Sequence, residues 1–133
     1  MTGPPGRWPD GWPIFFDRQG QPMTAEQYEA TFPSDPDEYM RYRRVGQDVL
    51  VMDGEPCNVS TVWIGIDMGF MRTGPPIIFE TMVFGGPFGD ATMRYATEMA
   101  AQEGHVRTVA DLMAGRTPWF LRDELTSTEE RDQ

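Results

Sequence analysis

Three residues of this chain have side chains that could do chemistry: Glu80, Asp67 and His105. Glu80 lies in the middle of an otherwise apolar run, residues 77–84, where an ionised carboxylate without a partner is costly. Buried carboxylates of this kind serve enzymes as general acids or bases. Asp67 and the only histidine, His105, could complete an acid/base site or a metal site with it. These three residues are therefore the candidates for a catalytic or ligand-binding pocket.

Each candidate also has a structural explanation. Glu80 could form an ion pair with an arginine such as Arg94 or Arg44, or lie at an uncovered edge of a sheet. Asp67 ends a strand just before a glycine-containing loop, where acids commonly form turns. His105 lies at the border of the apolar face of a predicted helix, where a single histidine usually packs or forms hydrogen bonds. The sequence leaves both sets of interpretations open.

The sequence carries no motif for nucleophilic or phosphate chemistry. Cys57 and the Ser60-Thr61 pair lie neither in a nucleophile elbow nor beside a candidate base. All 11 basic residues are arginine, so neither a Schiff-base lysine nor a P-loop lysine is available. The glycines of residues 84–90 do not follow the spacing of a phosphate-binding loop. The sequence therefore favours a non-enzymatic role and predicts no cofactor and no metal.

The chain is strongly acidic, with 21 acidic residues against 11 basic ones and a formal net charge of -10. This charge opposes binding to phosphate backbones and anionic lipid, so we expect no nucleic-acid and no membrane partner. It fits a partner protein with a basic surface; imitation of DNA toward a DNA-binding enzyme is a second interpretation. The chain has neither a signal-peptide pattern nor a run of about 18 apolar residues, so we expect a cytoplasmic protein.

Two β-type runs, residues 59–67 and 77–84, form the centre of the predicted fold. The first alternates in polarity, and the second is apolar on both faces, which suits a strand in the middle of a sheet. The glycines and prolines between them favour an antiparallel hairpin. A register that pairs Ile66 with Ile78 would place Glu80 on the strongly apolar face.

Helix signals lie on both sides of these strands. Thr24 and Gln27 form a capping-box pattern for a short helix before Pro33. Thr97 is a suitable N-cap for a second helix that ends at Gly115. The apolar face of this second helix, which we expect to pack on the sheet, consists of Met99, Val106, Val109, Ala110 and Met113. The combined pattern predicts an α+β fold, an antiparallel sheet of three to five strands with a C-terminal amphipathic helix packed on one face.

The length of the chain fits one domain with two extensions. Residues 1–13 form a flexible segment rich in Gly, Pro and Trp, residues 14–115 form the single α+β domain, and residues 116–133 form a C-terminal extension with a polar tail. Trp119 and Phe120 precede the tail. They are either binding residues that contact a partner or the chain's last contact with its own core.

Three segments together resemble a family of small proteins encoded by actinobacteriophages and related prophages. They are VSTVWIGID at residues 59–67, PPIIFETMVFGG at 75–86 and RYATEMAAQEGH at 94–105. The resemblance extends over about residues 14–114 and implies a phage origin, a compact domain and an accessory role, but no activity. Relatives often have a histidine after the aspartate of the first strand, where this chain has Met68. This departure counts against an essential Asp-His metal pair.

Three functional hypotheses follow. The leading one is a phage accessory protein, in the cytoplasm of an infected bacterial host, that binds a host or phage protein as an inhibitor or counter-defence factor. The second is a small enzyme or ligand-binding domain that uses Glu80, Asp67 and His105, with Arg94 steering an anion. The third is a minor virion or assembly component. The sequence leaves the oligomeric state open.

Overall fold

The computed structural model describes residues 13–69 and 74–122; residues 1–12 of the segment predicted to be flexible, and residues 123–133 of the polar tail, lie outside the described residues. The elements in chain order are β1 (Phe15–Phe16), β2 (Pro22–Met23), α1 (Ala25–Glu29), α2 (Pro36–Arg43), β3 (Arg44–Met52), β4 (Glu55–Trp63), β5 (Phe79–Phe84), β6 (Thr92–Tyr95) and α3 (Glu98–Met113). Strands β1 and β2 pair with each other, and β3 to β6 form an antiparallel sheet in the order β3-β4-β5-β6. Helix α3 packs on this sheet, so the predicted α+β fold is confirmed.

Helix α1 begins at the predicted capping box. The Thr24 hydroxyl accepts a hydrogen bond from the Gln27 N–H at 3.0 Å, and the Gln27 side chain accepts one from the Thr24 N–H at 2.9 Å. This helix buries Tyr28, whose hydroxyl donates to the Ile64 carbonyl at 2.9 Å. The N-terminal elements are thereby attached to the end of β4.

The pairing of β4 with β5 differs from the predicted register by two residues. Glu80 lies opposite Val62, so the prediction that Ile66 pairs with Ile78 is wrong. Strand β4 leaves the ladder before Gly65, whose φ of 80° turns the chain, and the segment beyond it forms a bridge to β1 instead. The prediction that Glu80 lies on the strongly apolar face is also wrong, because the core clusters lie on the other face of β5, with Phe79 and Val83.

The hydrophobic core of the described residues lies on one face of the four-stranded sheet, which we call the core face. One cluster surrounds Trp63 and Phe79, and a second joins Val59 and Val83 to Leu112 of α3. The opposite face, called the open face, carries side chains that belong to neither cluster: Gln47, Val49, Val51, Asn58, Ser60, Val62, Glu80, Met82, Phe84, Thr92 and Arg94.

Helix α3 packs on the core face with a different side from the one predicted. Its buried residues are mostly small or polar: Ala101, Gly104, His105, Thr108, Asp111 and Leu112. Met99, Val106 and Met113 are instead 70%, 66% and 73% exposed, so the prediction that they pack on the sheet is wrong. Only Val109 of the predicted face joins a core cluster. Small residues let the helix lie close to the sheet. Close packing therefore favours the rotation of α3 that buries them and leaves the larger apolar side chains in solvent.

Candidate functional site

A continuous series of hydrogen-bonded side chains crosses the core face beneath α3. His105 of α3 contacts Asp48 of β3 through Nε2, 2.7 Å from Oδ2, and Thr61 of β4 through Nδ1, 2.7 Å from Oγ1. The hydroxyls of Thr61 and Thr81 lie 2.5 Å apart, and the phenol of Tyr95 donates to the Thr81 hydroxyl at 3.0 Å. These five residues, called the polar chain, connect every strand of the four-stranded sheet to the helix.

One arrangement of hydrogens satisfies every member of the polar chain. Tyr95 donates to Thr81, Thr81 donates to Thr61, and Thr61 donates to Nδ1 of His105, whose Nε2–H donates to the Asp48 carboxylate. In this arrangement the imidazole carries a hydrogen on Nε2, because Nδ1 accepts from Thr61 and the Asp48 carboxylate can only accept.

Two glycines give the polar chain its space. A Cβ atom on Gly46 of β3 would lie 2.8 Å from the imidazole ring of His105. A Cβ atom on Gly104 of α3 would overlap the phenol of Tyr95. A larger residue at either position would require the neighbouring ring, that of His105 or of Tyr95, to move. The two glycines are thus part of what positions the polar chain.

Aspartate, histidine and a hydroxyl in series can activate a nucleophile, but this one is out of reach of a substrate. Thr61 and Thr81 are fully buried, and only Asp48 meets solvent, with 52% of its side chain exposed. Burial raises the pKa of the Tyr95 phenol, although its hydrogen bond to Thr81 opposes this, so the phenol stays a donor. The polar chain supports a structural role, in which it fixes the position of α3 on the sheet.

Sequence reasoning missed four of the five members of the polar chain: Asp48, Thr61, Thr81 and Tyr95. A usable signal existed, because Thr61 and Thr81 occupy core-facing positions in two neighbouring apolar strands. Buried hydroxyls need hydrogen-bond partners, and the single histidine of the following helix is an obvious one. For His105, the interpretation as a hydrogen-bonding residue is confirmed.

Glu80 lies on the open face and is paired with Arg94 of the neighbouring strand. The Arg94 Nε donates to Oε2 of Glu80 at 3.0 Å, and the two residues are directly opposite in the ladder. The ion-pair interpretation of Glu80 is therefore confirmed. The Arg94 side chain is 43% exposed, so the pair contributes at most about 1 kcal/mol to stability.

Asp67 holds the loop after β4. Its Oδ1 atom accepts hydrogen bonds from the N–H groups of Gly69 and Ile77, both at 2.9 Å, which confirms a turn-forming role. Glu80 and His105 lie on opposite faces of the sheet, since His105 bonds to the core-facing Thr61. The three candidates therefore do not converge on one pocket.

Trp119 packs against its own domain. Its indole N–H lies 3.2 Å from the Gly104 carbonyl and 3.1 Å from the Thr108 hydroxyl, and the Arg107 guanidinium lies 4.5 Å from the ring centre. Phe120 contacts the Trp119 ring edge-on at 5.5 Å and stays half-buried. The indole is thus a contact of the chain with its own core, while a partner contact by Phe120 stays a prediction.

The carboxylate of Asp111 was also missed, and it fastens the same C-terminal segment. Arg116 Nε donates to Oδ1 at 3.1 Å, and Arg122 Nη2 donates to Oδ2 at 3.0 Å. The Asp111 side chain is buried, so the two arginines supply the partners that a buried carboxylate requires. Nothing in the local sequence distinguishes Asp111 from a solvated acid of a helix.

The open face exposes apolar side chains in adjoining positions. Val49, Asn58 and Phe84 form one row across β3, β4 and β5, and Val51 lies two residues further along β3. Val49, Val51 and Phe84 are 65%, 77% and 48% exposed. Between them, the side-chain oxygen of Asn58 is buried without a hydrogen-bond donor. Adjoining exposed apolar groups of this kind mark binding surfaces.

Among residues 13–69 and 74–122, no group of three His, Cys, Asp or Glu side chains could hold a metal ion. No helix in the same part of the chain is long and apolar enough to cross a membrane.

Comparison with known proteins does not identify a family for the chain. No protein-family model, curated protein or solved structure matches the chain. The resemblance to the phage family stays a prediction.

Proposed function

We propose that this protein is a phage-encoded accessory protein that binds a host or phage protein through the open face of its four-stranded sheet. The phage origin rests on the resemblance of the strand and helix segments described above. The binding role rests on the surface. An inhibitor or counter-defence factor needs only such a surface, since it acts by occupying its target.

The observation that carries the proposal is the exposed apolar row on the face of the sheet opposite the core clusters of the described residues. Val49 and Val51 expose more than half of their surface on β3, which is an edge strand of nine residues. An antiparallel sheet with one solvated face normally carries polar residues there. A long apolar edge strand also invites pairing with another chain, and natural proteins usually protect such edges.

The charges around this row suggest the kind of partner. Glu80 and Arg94 neutralise each other on the open face, and the exposed Arg44 lies in the same row, at the end of β3 away from Val51. At the end of the sheet where Val51 lies, the exposed turn carries Asp53 and Glu55. A partner with an apolar centre and a basic rim fits this distribution, because rim charges steer association and select partners.

A pull-down with matched surface variants tests the proposal. The tagged protein is incubated with lysate of an actinobacterium, and captured proteins are quantified by mass spectrometry for the wild type and for a Val49→Thr/Val51→Glu variant. Threonine and glutamate remove the apolar contact at positions already exposed, so the fold should persist. We expect recovery of the specific partner to fall by a factor of ten or more.

The control is Met40→Thr on α2, whose side chain is 41% exposed but lies outside the open face. Recovery should be unchanged in this control. Equal recovery from the wild type and the open-face variant, or no specific capture by the wild type, would remove the open face as the binding surface. Phe120→Ser in the same assay checks the predicted contact in the C-terminal extension.

A further inference from the structure

We propose that α3 binds the α3 of a second copy of this chain, giving a dimer with two-fold symmetry. The contact is the outer stripe of the helix, formed by Met99, Val106, Ala110 and Met113. This inference does not rest on the proposed function, because the outer stripe and the open face are different surfaces. A dimer through α3 leaves the open face free.

The outer stripe is an apolar surface turned toward solvent. The helix buries its small and polar side chains on the sheet, and the residues that would ordinarily form its buried face point outward. Met99, Val106 and Met113 follow each other at intervals of seven residues, close to two helical turns. They therefore lie almost in line along the helix, as the residues at the seam of a helix pair do.

The outer stripe is symmetric about its central residue. Met99 and Met113 each lie seven residues from Val106. When two copies of α3 cross antiparallel at this point, Val106 meets the partner's Val106, and Met99 meets the partner's Met113. A surface that complements itself under a two-fold rotation is what an isologous dimer requires.

The charges beside the stripe are complementary in the same arrangement. Glu103 and Arg107 lie on one flank of the stripe, and neither forms an ion pair with a described residue. In the antiparallel pair, the two-fold rotation places this flank of one helix beside the same flank of the other helix. Each Glu103 therefore comes close to the partner's Arg107. Trp119 supports the flat side of the Arg107 guanidinium at 4.5 Å, and a stacked guanidinium donates from its edge. Beside Val106, a shallow depression bordered by Gln102 and Arg107 lies open to solvent.

The size of the contact sets the expected strength. One helix from each copy buries less than the roughly 1,200 Å² at which stable interfaces begin. The dimer should therefore be weak and depend on protein concentration. A stable dimer at low concentration would need more surface than the outer stripe contains.

Disulfide trapping tests the geometry. Val106→Cys places a thiol on the two-fold axis, so oxidised glutathione should cross-link this variant to itself. Met99→Cys should not cross-link to itself, because its two copies lie about 21 Å apart along the helices. A mixture of Met99→Cys and Met113→Cys should cross-link between the two variants. Cys57 gives no background, since it is buried and burial raises the pKa of its thiol.

The matched control is Met40→Cys on α2, an exposed position that lies on neither the open face nor the outer stripe. Cross-linking of Val106→Cys no faster than that of this control would overturn the proposal. So would efficient self-cross-linking of Met99→Cys, because it indicates a parallel or random encounter.

Light scattering supplies a second measurement that needs no cysteine. The mass should rise from the monomer value of 15.1 kDa toward twice that value as concentration increases. Val106→Glu should weaken this association by a factor of ten or more. Glu103→Arg should also weaken it, and the double variant with Arg107→Glu should recover part of the loss. A wild type that stays monomeric at the highest soluble concentration overturns the dimer but leaves the binding role of the open face untouched.

Discussion

Thr61 is the residue on which the polar chain depends, because it joins the histidine of the helix to the hydroxyls of the sheet. Thr61→Val keeps the shape of the side chain but leaves Nδ1 of His105 without a donor and the Thr81 hydroxyl without an acceptor. Two buried groups without partners should lower the free energy of unfolding by about 3 kcal/mol. Equilibrium denaturation with urea, followed by tryptophan fluorescence, measures this loss.

The neighbouring residue provides the control for this substitution. Ser60 belongs to the same strand but faces the open side, so Ser60→Ala should change the free energy of unfolding by less than about 0.5 kcal/mol. If Thr61→Val were no more costly than Ser60→Ala, the polar chain would contribute nothing to stability. The structural role assigned to it would then have to be abandoned.

Single residues show which parts of the site could be predicted from sequence. The sequence marks Glu80 as a residue in need of a partner and offers Arg94 or Arg44. The structure selects Arg94, because cross-strand neighbours on one face of the sheet lie within reach of each other. The contact of Asp48 with His105 could not be predicted. It depends on the rotation of α3 about its axis and on the β3–β4 register, and neither follows from local sequence.

At the scale of elements, the close approach of α3 to the sheet depends on Gly104. An alanine there has a better helix propensity by about 1 kcal/mol, yet its Cβ would overlap the Tyr95 phenol. We expect Gly104→Ala to lower the free energy of unfolding by about 2 to 3 kcal/mol, because the helix must move away from the sheet or the ring must turn. Thermal unfolding followed by circular dichroism measures the effect.

A double-variant cycle separates this overlap from other effects on the helix. Gly104→Ala should cost less when Tyr95 is replaced by leucine, since the ring is then gone. Gln102→Ala, at an exposed position of α3, should leave stability within about 0.5 kcal/mol. An equal cost of Gly104→Ala with and without Tyr95 would show that the ring is not the obstacle.

The helices and strands themselves were largely predictable, since capping residues, turn glycines and alternation are local signals. The side of α3 that packs was not. Counting apolar residues around the helix favours the face with Met99, Val106 and Met113, whereas the structure buries the face with the small residues. Close packing and the hydrogen bonds of the polar chain determine which side of α3 faces the sheet. The spacing of apolar residues in the sequence reports only hydrophobicity.

At the scale of the whole molecule, the chain carries two exposed apolar surfaces on a strongly acidic protein. The open face and the outer stripe of α3 lie on opposite sides of the layer formed by sheet and helix. A formal charge of -10 makes copies of this chain repel each other in dilute solution, so a contact between two copies needs local charge balance, whereas a basic partner is attracted. The outer stripe meets this condition through Glu103 and Arg107.

The core of the molecule also determines how its stability responds to alkaline pH. Burial raises the pKa of the Cys57 thiol above its ordinary value of 9.0 and those of the Tyr28 and Tyr95 phenols above 10.0. In the unfolded chain these groups lose their protons at the ordinary values, while the folded protein keeps them. Above pH 9.0 the unfolded state therefore binds fewer protons than the folded state.

Below about pH 9, these three groups should therefore leave the free energy of unfolding unchanged. As the pH rises through 10.0, their contribution should make it fall steadily. Urea denaturation at a series of pH values from about 8 to about 11 measures the slope. Tyr95→Phe should lower stability at every pH, because the hydrogen bond to Thr81 is lost, but it should also make the alkaline slope shallower. A slope that is the same in the wild type and in Tyr95→Phe would mean that the buried phenol is not what couples folding to pH.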